Sequence, residues 1–195
     1  MEIRYAKQTD IPQLKHIWKV CFGDEDDYIN FFFYHLFQPE RTVVAVCRNT
    51  VIGVVYMLKA SLFAAEFMYG YAIGVLPEYR GNSVCKTMLD YIRCEAAEQS
   101  FLFGLHPANE KLFSFYKKIG LTELYRLKTV DASEFCEETP ADLYDVDAST
   151  YFSFRERAFA PLVSWDEKML LYMLKEAKYT GGVAKRIIVQ GQERI

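Results

Sequence analysis

The chain has 195 residues, 51% of them hydrophobic, with 23 Lys and Arg against 26 Asp and Glu for a formal net charge of -3. A chain of this size buries roughly 70% of the surface it exposes when unfolded, so no disulfide or metal staple is required, and it holds one domain of about 130 residues with some 60 to spare. The charge balance excludes a sequence-independent nucleic-acid binder, which needs clustered cations on phosphates, and it disfavours a membrane-surface role.

Five cysteines (Cys21, Cys47, Cys85, Cys94, Cys136) occur without a C-x-x-C spacing, so neither a disulfide framework nor a zinc knuckle is encoded. Reduced thiols in a cytoplasmic setting fit this usage. Met1 to Asp10 is polar, unlike a signal peptide. The apolar stretch Ala60 to Leu76 is broken by Glu66 and reads as two strands around a turn, not as a membrane span. His16, His35 and His106 are scattered and suggest no metal site.

In chain order, Glu2 to Ala6 reads as a short strand. Thr9 or Asp10 can cap a helix with Ile11, Leu14, Ile17, Trp18 and Cys21 at helical spacing, stopped by Gly23. The acidic run Asp24 to Asp27 opens a second helix rich in Phe and Tyr, where negative side chains suit the helix dipole. Arg41 to Arg48 and Val51 to Lys59 read as a hairpin turned at Asn49 and Thr50. Phe67 to Val75 is a third long strand, ended by Pro77. A helix follows to about Gln99, then a short buried strand from Phe101 to Leu105. Asn109 to Ile119 is a helix closed by Gly120, and Leu124 to Val130 is one more strand. Hairpin-linked antiparallel strands feeding one β-α-β crossover make an α/β or α+β sheet.

Asp131 to Asp147 carries seven acidic residues (Asp131, Glu134, Glu137, Glu138, Asp142, Asp145, Asp147) and no Lys or Arg, which reads as a connector. Beyond it, Tyr151 to Phe159 is expected to be helical. Ser164 with Glu167 forms a capping box for a further helix, Gly181-Gly182 ends that helix, and Val183 to Gln190 is a strand with no room for a full return. The expected division is therefore a domain over 1–130, a connector over 131–147 and a C-terminal α/β segment over 148–195.

The segment richest in chemistry is Ala72-Ile73-Gly74-Val75-Leu76-Pro77-Glu78-Tyr79-Arg80-Gly81-Asn82-Ser83-Val84-Cys85-Lys86. A strand ends at Pro77, and an Arg-Gly loop turns straight into a helix. Such a junction gathers backbone N–H groups without intrahelical partners at the positive end of a dipole, a place for a phosphate or pyrophosphate. Gly81 lets an anion approach the main chain. The alternative is an ordinary strand-to-helix connection with a surface Arg.

This stretch resembles the coenzyme A loop of the GNAT superfamily of N-acetyltransferases, in which an Arg or Gln begins an R-x-x-G-x-G/A pattern. Arg80 takes the first position, Ser83 stands where Gly is usual, and Cys85 where Gly or Ala is usual. Both are small, and Ser83 is expected to cap the helix. A second match lies downstream, where Asn109 and Tyr116 sit in Asn-Glu-Lys-Leu-Phe-Ser-Phe-Tyr-Lys-Lys-Ile-Gly-Leu. This is similar to the family's helix with an Asn at its start and a Tyr-x-x-x-Gly-Phe ending, Leu121 replacing Phe. By periodicity alone Tyr116 is a core aromatic.

The resemblance covers Met1 to about Val130. It implies a mixed, mostly antiparallel sheet flanked by helices, with a bulged strand at Phe67 to Val75 splaying from the parallel strand at Phe101 to Leu105. It implies acetyl-CoA as cosubstrate, its pantetheine arm along Ile73, Gly74 and Val75, and its pyrophosphate on amides from Arg80 through Gly81, Asn82, Ser83, Val84, Cys85 and Lys86, with Asn109 nearby. Tyr116 would protonate the departing thiolate, and the acceptor would be a small-molecule or peptide amine, without nucleic acid, membrane or metal. No base is assigned: the strand Phe67 to Val75 holds Tyr69 and Tyr71 but no carboxylate, and Glu66 and Asp24 to Asp27 are the nearby candidates. Cys85 reads as a packing residue and not as a nucleophile, and His106 as structural or bordering the cleft.

The alternatives are a GNAT-fold coenzyme A or acyl-CoA-binding module with little or no turnover, and an interaction protein using the sheet as scaffold. The C-terminal segment weakly resembles the start of a second half in tandem GNAT proteins. It is expected to pack on the first domain or on a neighbouring subunit of a homodimer, or the chain is a truncated form.

Overall fold

The computed structural model describes residues 1–63, 65–124, 142–147, 149–153, 163–182, 185–189 and 192–194. It divides into two compact units, one of Met1–His106 with Pro161–Tyr172, the other of Pro107–Ala160 with Met173–Ile195.

In the first unit, strands β1 (Glu2–Tyr5), β2 (Thr42–Cys47), β3 (Thr50–Leu62) and β4 (Ala65–Val75) pair antiparallel in sequence order, and β5 (Leu102–Leu105) adds parallel to β4. The architecture is thus the mixed, mostly antiparallel α/β sheet that the sequence implies. Every residue from Val51 to Leu58 is buried, as befits a central strand covered on both faces. The β2–β3 hairpin turns at Arg48 and Asn49, with φ of 47° and 66°, and not at Asn49 and Thr50, because Thr50 already pairs with Cys47. Two successive positive φ values make the type I′ turn whose twist suits a two-residue hairpin.

Helices α1 (Ile11–Phe22) and α2 (Asp26–His35) cover one face, and α3 (Val84–Gln99) covers the other. Two glycines record this. A Cβ on Gly53 would meet Met88 and Val84 of α3 at 3.0 and 3.2 Å, whereas one on Gly74 would meet Ile17 and Cys21 of α1 at 3.2 and 3.3 Å. On the α1/α2 face, Trp18 centres an aromatic core, with ring centroids 4.5 Å from Phe32, 5.3 Å from Tyr56 and 6.0 Å from Tyr71. Aromatic side chains of this kind bury ~150–250 Å² each, roughly 4–6 kcal/mol of transfer free energy before ordering costs are met. The indole Nε1 donates to Asp24 at 2.7 Å, so the acidic run also closes the α1–α2 corner.

Asp10 does not cap α1 through its side chain. Its carboxylate instead accepts from the Lys7 N–H at 2.7 Å and from both terminal nitrogens of Arg4 at 2.7 and 3.1 Å. The Arg4 guanidinium therefore holds the Asp10 carboxyl below its ordinary range. Phe101 lies outside β5, and Leu102 is 48% exposed, so this strand is less buried than its composition suggests.

One strand from late in the chain belongs to the first unit. β7 (Val163–Trp165) pairs antiparallel with β3 at Ala60–Leu62. Ser164 is therefore a strand residue, and the cap of the following helix, α5 (Glu167–Tyr179), is Asp166, which accepts from the Met169 N–H at 2.8 Å. Ser164 cannot serve because its backbone is committed to the β3–β7 ladder and the helix begins three residues beyond it, so Asp166 takes the N-cap position.

The second unit contains α4 (Glu110–Lys118) and a small antiparallel sheet of β6 (Asp142–Asp145), β8 (Lys185–Val189) and β9 (Gln192–Arg194), with β8 central. Part of the acidic run is thus a strand, and the terminal hairpin does have a short return. Residues 149–153 are helical. The rest of the helix expected to Phe159 lies outside the described residues, as does the strand expected from Leu124 to Val130 apart from Leu124, which is in no strand.

Candidate active site

Two departures from regular structure define the site. β4 pairs with β5 only from Phe67↔Leu102 to Gly70↔Leu105, so from Tyr71 to Val75 its only strand partner among the described residues is β3. Within that span Tyr71 pairs with Tyr56 and Gly74 with Val54, leaving Ala72 and Ile73 opposite Val55 alone. This is a bulge, and Ala72 carries a φ of 44°, a conformation that costs an L-residue about 1–2 kcal/mol. Bulges bend a strand and re-aim its main chain. The expected bulge is present, and the pairing with β5 ends before it, at Gly70.

The edge that opens has usable polar groups. The Leu76 N–H donates to Ile52 O at 3.0 Å. Since successive residues of a strand direct their groups to opposite sides, Val75 directs its N–H and C=O away from β3. Its carbonyl accepts from Arg80 Nε at 2.9 Å and from Cys21 Sγ at 3.4 Å. Tyr71, Ala72, Ile73 and Val75 are all half-exposed.

The edge continues into the loop. Pro77–Tyr79 makes one 3-10 turn, Gly81 takes a φ of 79°, and Ser83 a φ of 59°. The first hydrogen bond of α3 runs from the Thr87 N–H to Ser83 O at 2.9 Å, so the N–H groups of Val84, Cys85 and Lys86 project from the helix end. Ser83 does not cap them, contrary to expectation. A left-handed N-cap residue cannot swing its hydroxyl over the first turn, and the same φ accounts for the Gly usual at this place. The uncapped amides suit an anion better than capped ones would. Arg80, Gly81, Asn82, Ser83 and Lys86 are exposed, with Lys86 paired to Asp90. Burial pushes the Cys85 thiol up to about 11, which makes it a neutral packing group.

The candidate residues of the first unit, Ile73 to Val75 and Arg80 to Lys86, lie on consecutive elements, with Gly74 and Val84 buried among them. Asn109 and Tyr116 belong to the second unit. Asn109 N-caps α4 by accepting from the Leu112 N–H at 3.0 Å, and Tyr116, 8% exposed, lies edge-on to Phe115 at 5.3 Å.

The candidate bases fare poorly. Asp24 is held by Trp18, Glu25 and Asp26 both pair with Lys19 at 3.4 and 3.3 Å, and Glu66 pairs with Lys59 at 3.3 Å, whereas Asp27 is exposed and makes no ion pair among the described residues. Glu66 also precedes the bulge by six residues, ~20 Å along a strand. His106, exposed, follows the last β5 residue where the two strands part. Among the described residues no cluster of three or more metal-ligating side chains occurs, and no helix is long and apolar enough to cross a membrane.

Sequence reasoning missed the Arg80 and Cys21 contacts to the Val75 carbonyl, which no local pattern announces. It also missed that Phe67, Tyr69 and Tyr71 form one aromatic row. The period-two spacing of these three residues was the available signal.

The family model for an acetyltransferase (GNAT) domain matches residues 2–123. The chain belongs to the GNAT acetyltransferase family. No curated protein sequence matches it. Among solved structures, a GCN5-related N-acetyltransferase from Anabaena variabilis ATCC 29413 is 23% identical, with a TM-score of 0.52 over 58% of this chain and 30% of that one. Eis1 from Mycobacterium abscessus is 11% identical, with a TM-score of 0.68 over 99% of this chain and 52% of that one. AAC(6')-Iy, in complex with a bisubstrate analog, CoA-S-monomethyl-acetylneamine, is 17% identical, with a TM-score of 0.54 over 67% of this chain and 96% of that one. This GNAT chain thus shares its fold with these proteins, and it spans under a third of the length of the first and about half of the second.

Proposed function

We propose that this protein transfers the acetyl group of acetyl-CoA directly to a primary amine. The observation that carries the reading is the open, bulged edge of β4 running without interruption into an uncapped helix N-terminus. An extended pantetheine arm adds to a strand edge through main-chain hydrogen bonds. The Val75 N–H and the bulged main chain at Ile73 would supply them, with Gly74 between them facing β3, and the N–H groups of Gly81 to Lys86 would hold the pyrophosphate. That arrangement delivers a thioester to the bulge at Ala72 and Ile73.

There the amine nitrogen would attack the thioester carbonyl carbon, and the C–S bond would break to leave an amide and a thiolate. A bulge N–H stabilises charge developing on the carbonyl oxygen, and holding both reactants at the splay supplies much of the acceleration. Tyr116 is proposed to give its phenolic proton to the thiolate. The amine's own proton leaves to solvent, directly or through water.

The test is acetyl-CoA-dependent thiol release across a panel of amines. Turnover is expected, and Tyr116→Phe should lower kcat by about 100-fold with little change in acetyl-CoA affinity. An unchanged kcat removes Tyr116 as the acid. The departures from the family pattern at Ser83 and Cys85, and the engaged carboxylates, favour one rival, a coenzyme-binding module. Tight acetyl-CoA binding without turnover for any acceptor would establish that rival instead.

A further inference from the structure

On the reading that this site transfers acetyl groups, we propose that its acceptor is an amine with a single ammonium carried on an aromatic or apolar body, and not a polycation. The argument starts from β4. Phe67, Tyr69 and Tyr71 alternate along the strand and so share a face, and Tyr71, which packs on Phe32 and Trp18, identifies it as the α1/α2 face. The row ends where the site begins, because Tyr71 is the first residue beyond the last β4–β5 pair and immediately precedes the bulge.

The surroundings of the row are aromatic as well. Trp165, brought by β7 onto β3, meets Tyr69 edge-on at 5.5 Å. Phe32 stacks on Tyr71 at 5.8 Å with an interplanar angle of 27°, and Tyr172 packs against Phe31 and Phe32 at 5.7 and 6.5 Å. Tyr69, Tyr71 and Trp165 remain half-exposed. Phe67 lies over Gly104, whose Cβ would meet its ring at 3.0 Å, so β5 contributes no side chain at that level. Beneath the row, the Tyr56 hydroxyl is fully buried without a hydrogen-bond partner, and burial drives its pKa upward. This wall is therefore low in dielectric and built of ring faces.

Charge points the same way. A polycation needs carboxylates to replace its hydration. Most acidic groups near α1 and α2 are committed, Asp24 to an indole, Glu25 and Asp26 to Lys19, and Glu66, at the far end of the row, to Lys59, which leaves exposed Asp27 as a single carboxylate, enough for one ammonium and too few for a polycation. Rings, by contrast, bury an apolar body and tolerate one cation over their faces. An acceptor lying along the row with its amine past Tyr71 would present that nitrogen at the bulge.

The experiment measures acetyl-CoA-dependent thiol release with phenethylamine, spermidine and kanamycin as acceptors, with acetyl-CoA binding followed in parallel by thermal shift. The expected result is a kcat/KM for phenethylamine at least about tenfold above that of either polycation. Tyr71→Ala should lower that value by about tenfold while the acetyl-CoA shift is kept, and Tyr71→Phe should restore most of it. If Tyr71→Ala loses the acetyl-CoA shift, Trp165→Leu serves in its place with the same expectation. Equal or better turnover of spermidine or kanamycin would overturn the proposal and leave the transfer reading standing. No turnover of any amine, with acetyl-CoA still bound, would overturn both.

Discussion

The two ends of β4 are built in different ways. From Ile73 through the loop to Lys86 the candidate site consists of main-chain groups: a strand edge without a second partner strand among the described residues, a bulge, two left-handed residues and a helix end with uncapped amides. From Phe67 to Tyr71 it consists of side chains, rings packed on Phe32, Trp18 and Trp165. A backbone-built site binds what every substrate of a family has in common. A ring-built wall can change by substitution without disturbing the strand, and this separates the coenzyme half of the chemistry from the acceptor half.

Substitutions break the comparison at either end. The largest effect is expected from Phe32→Ala, where removing a ring that is 1% exposed and touches Trp18, Tyr56 and Tyr71 should cost about 3–5 kcal/mol. Urea unfolding measures this, and acetyl-CoA affinity of the folded fraction should stay within about twofold if the two ends are independent. Next comes Gly81→Val. Nothing lies within 4 Å of the added Cβ, so its penalty is conformational, about 1–2 kcal/mol at a φ of 79°. Calorimetric titration should show acetyl-CoA binding weakened about tenfold, and the melting temperature should fall by about 2–8 °C. An unchanged affinity would mean that the loop does not hold the coenzyme.

Two smaller changes should stabilise the protein. Ser83→Gly relieves a φ of 59° and should raise the melting temperature by about 2–4 °C, the equivalent of roughly 1 kcal/mol. Tyr56→Phe removes a buried hydroxyl without a partner and should raise the urea midpoint by the equivalent of ~1 kcal/mol or less. A loss of stability in Tyr56→Phe would show that the hydroxyl has a bonding partner in solution.

The same division explains what could be read from the sequence. The loop was legible because its conformation is written in local residues: Pro77 ends a strand, Gly81 permits a positive φ, and a helix pattern follows at once. Asn109 capping α4 was legible for the same reason. Ser83 misled because its type favours an N-cap, whereas the turn places it left-handed, where its hydroxyl cannot reach the amides. Trp165 was out of reach because its partner strand, β3, lies some hundred residues earlier and non-local pairing leaves no local signature. The aromatic excess was visible in the composition, and packing shows which rings adjoin the bulge, Tyr71 with Phe32 and Trp18 against it.

The most direct measurement is amide hydrogen exchange with and without acetyl-CoA. Protection concentrated at Ile73 and Val75 and from Gly81 to Lys86 is the predicted result, since these N–H groups would gain partners from the pantetheine and the pyrophosphate. Binding of acetyl-CoA with no added protection in these two segments would contradict the account.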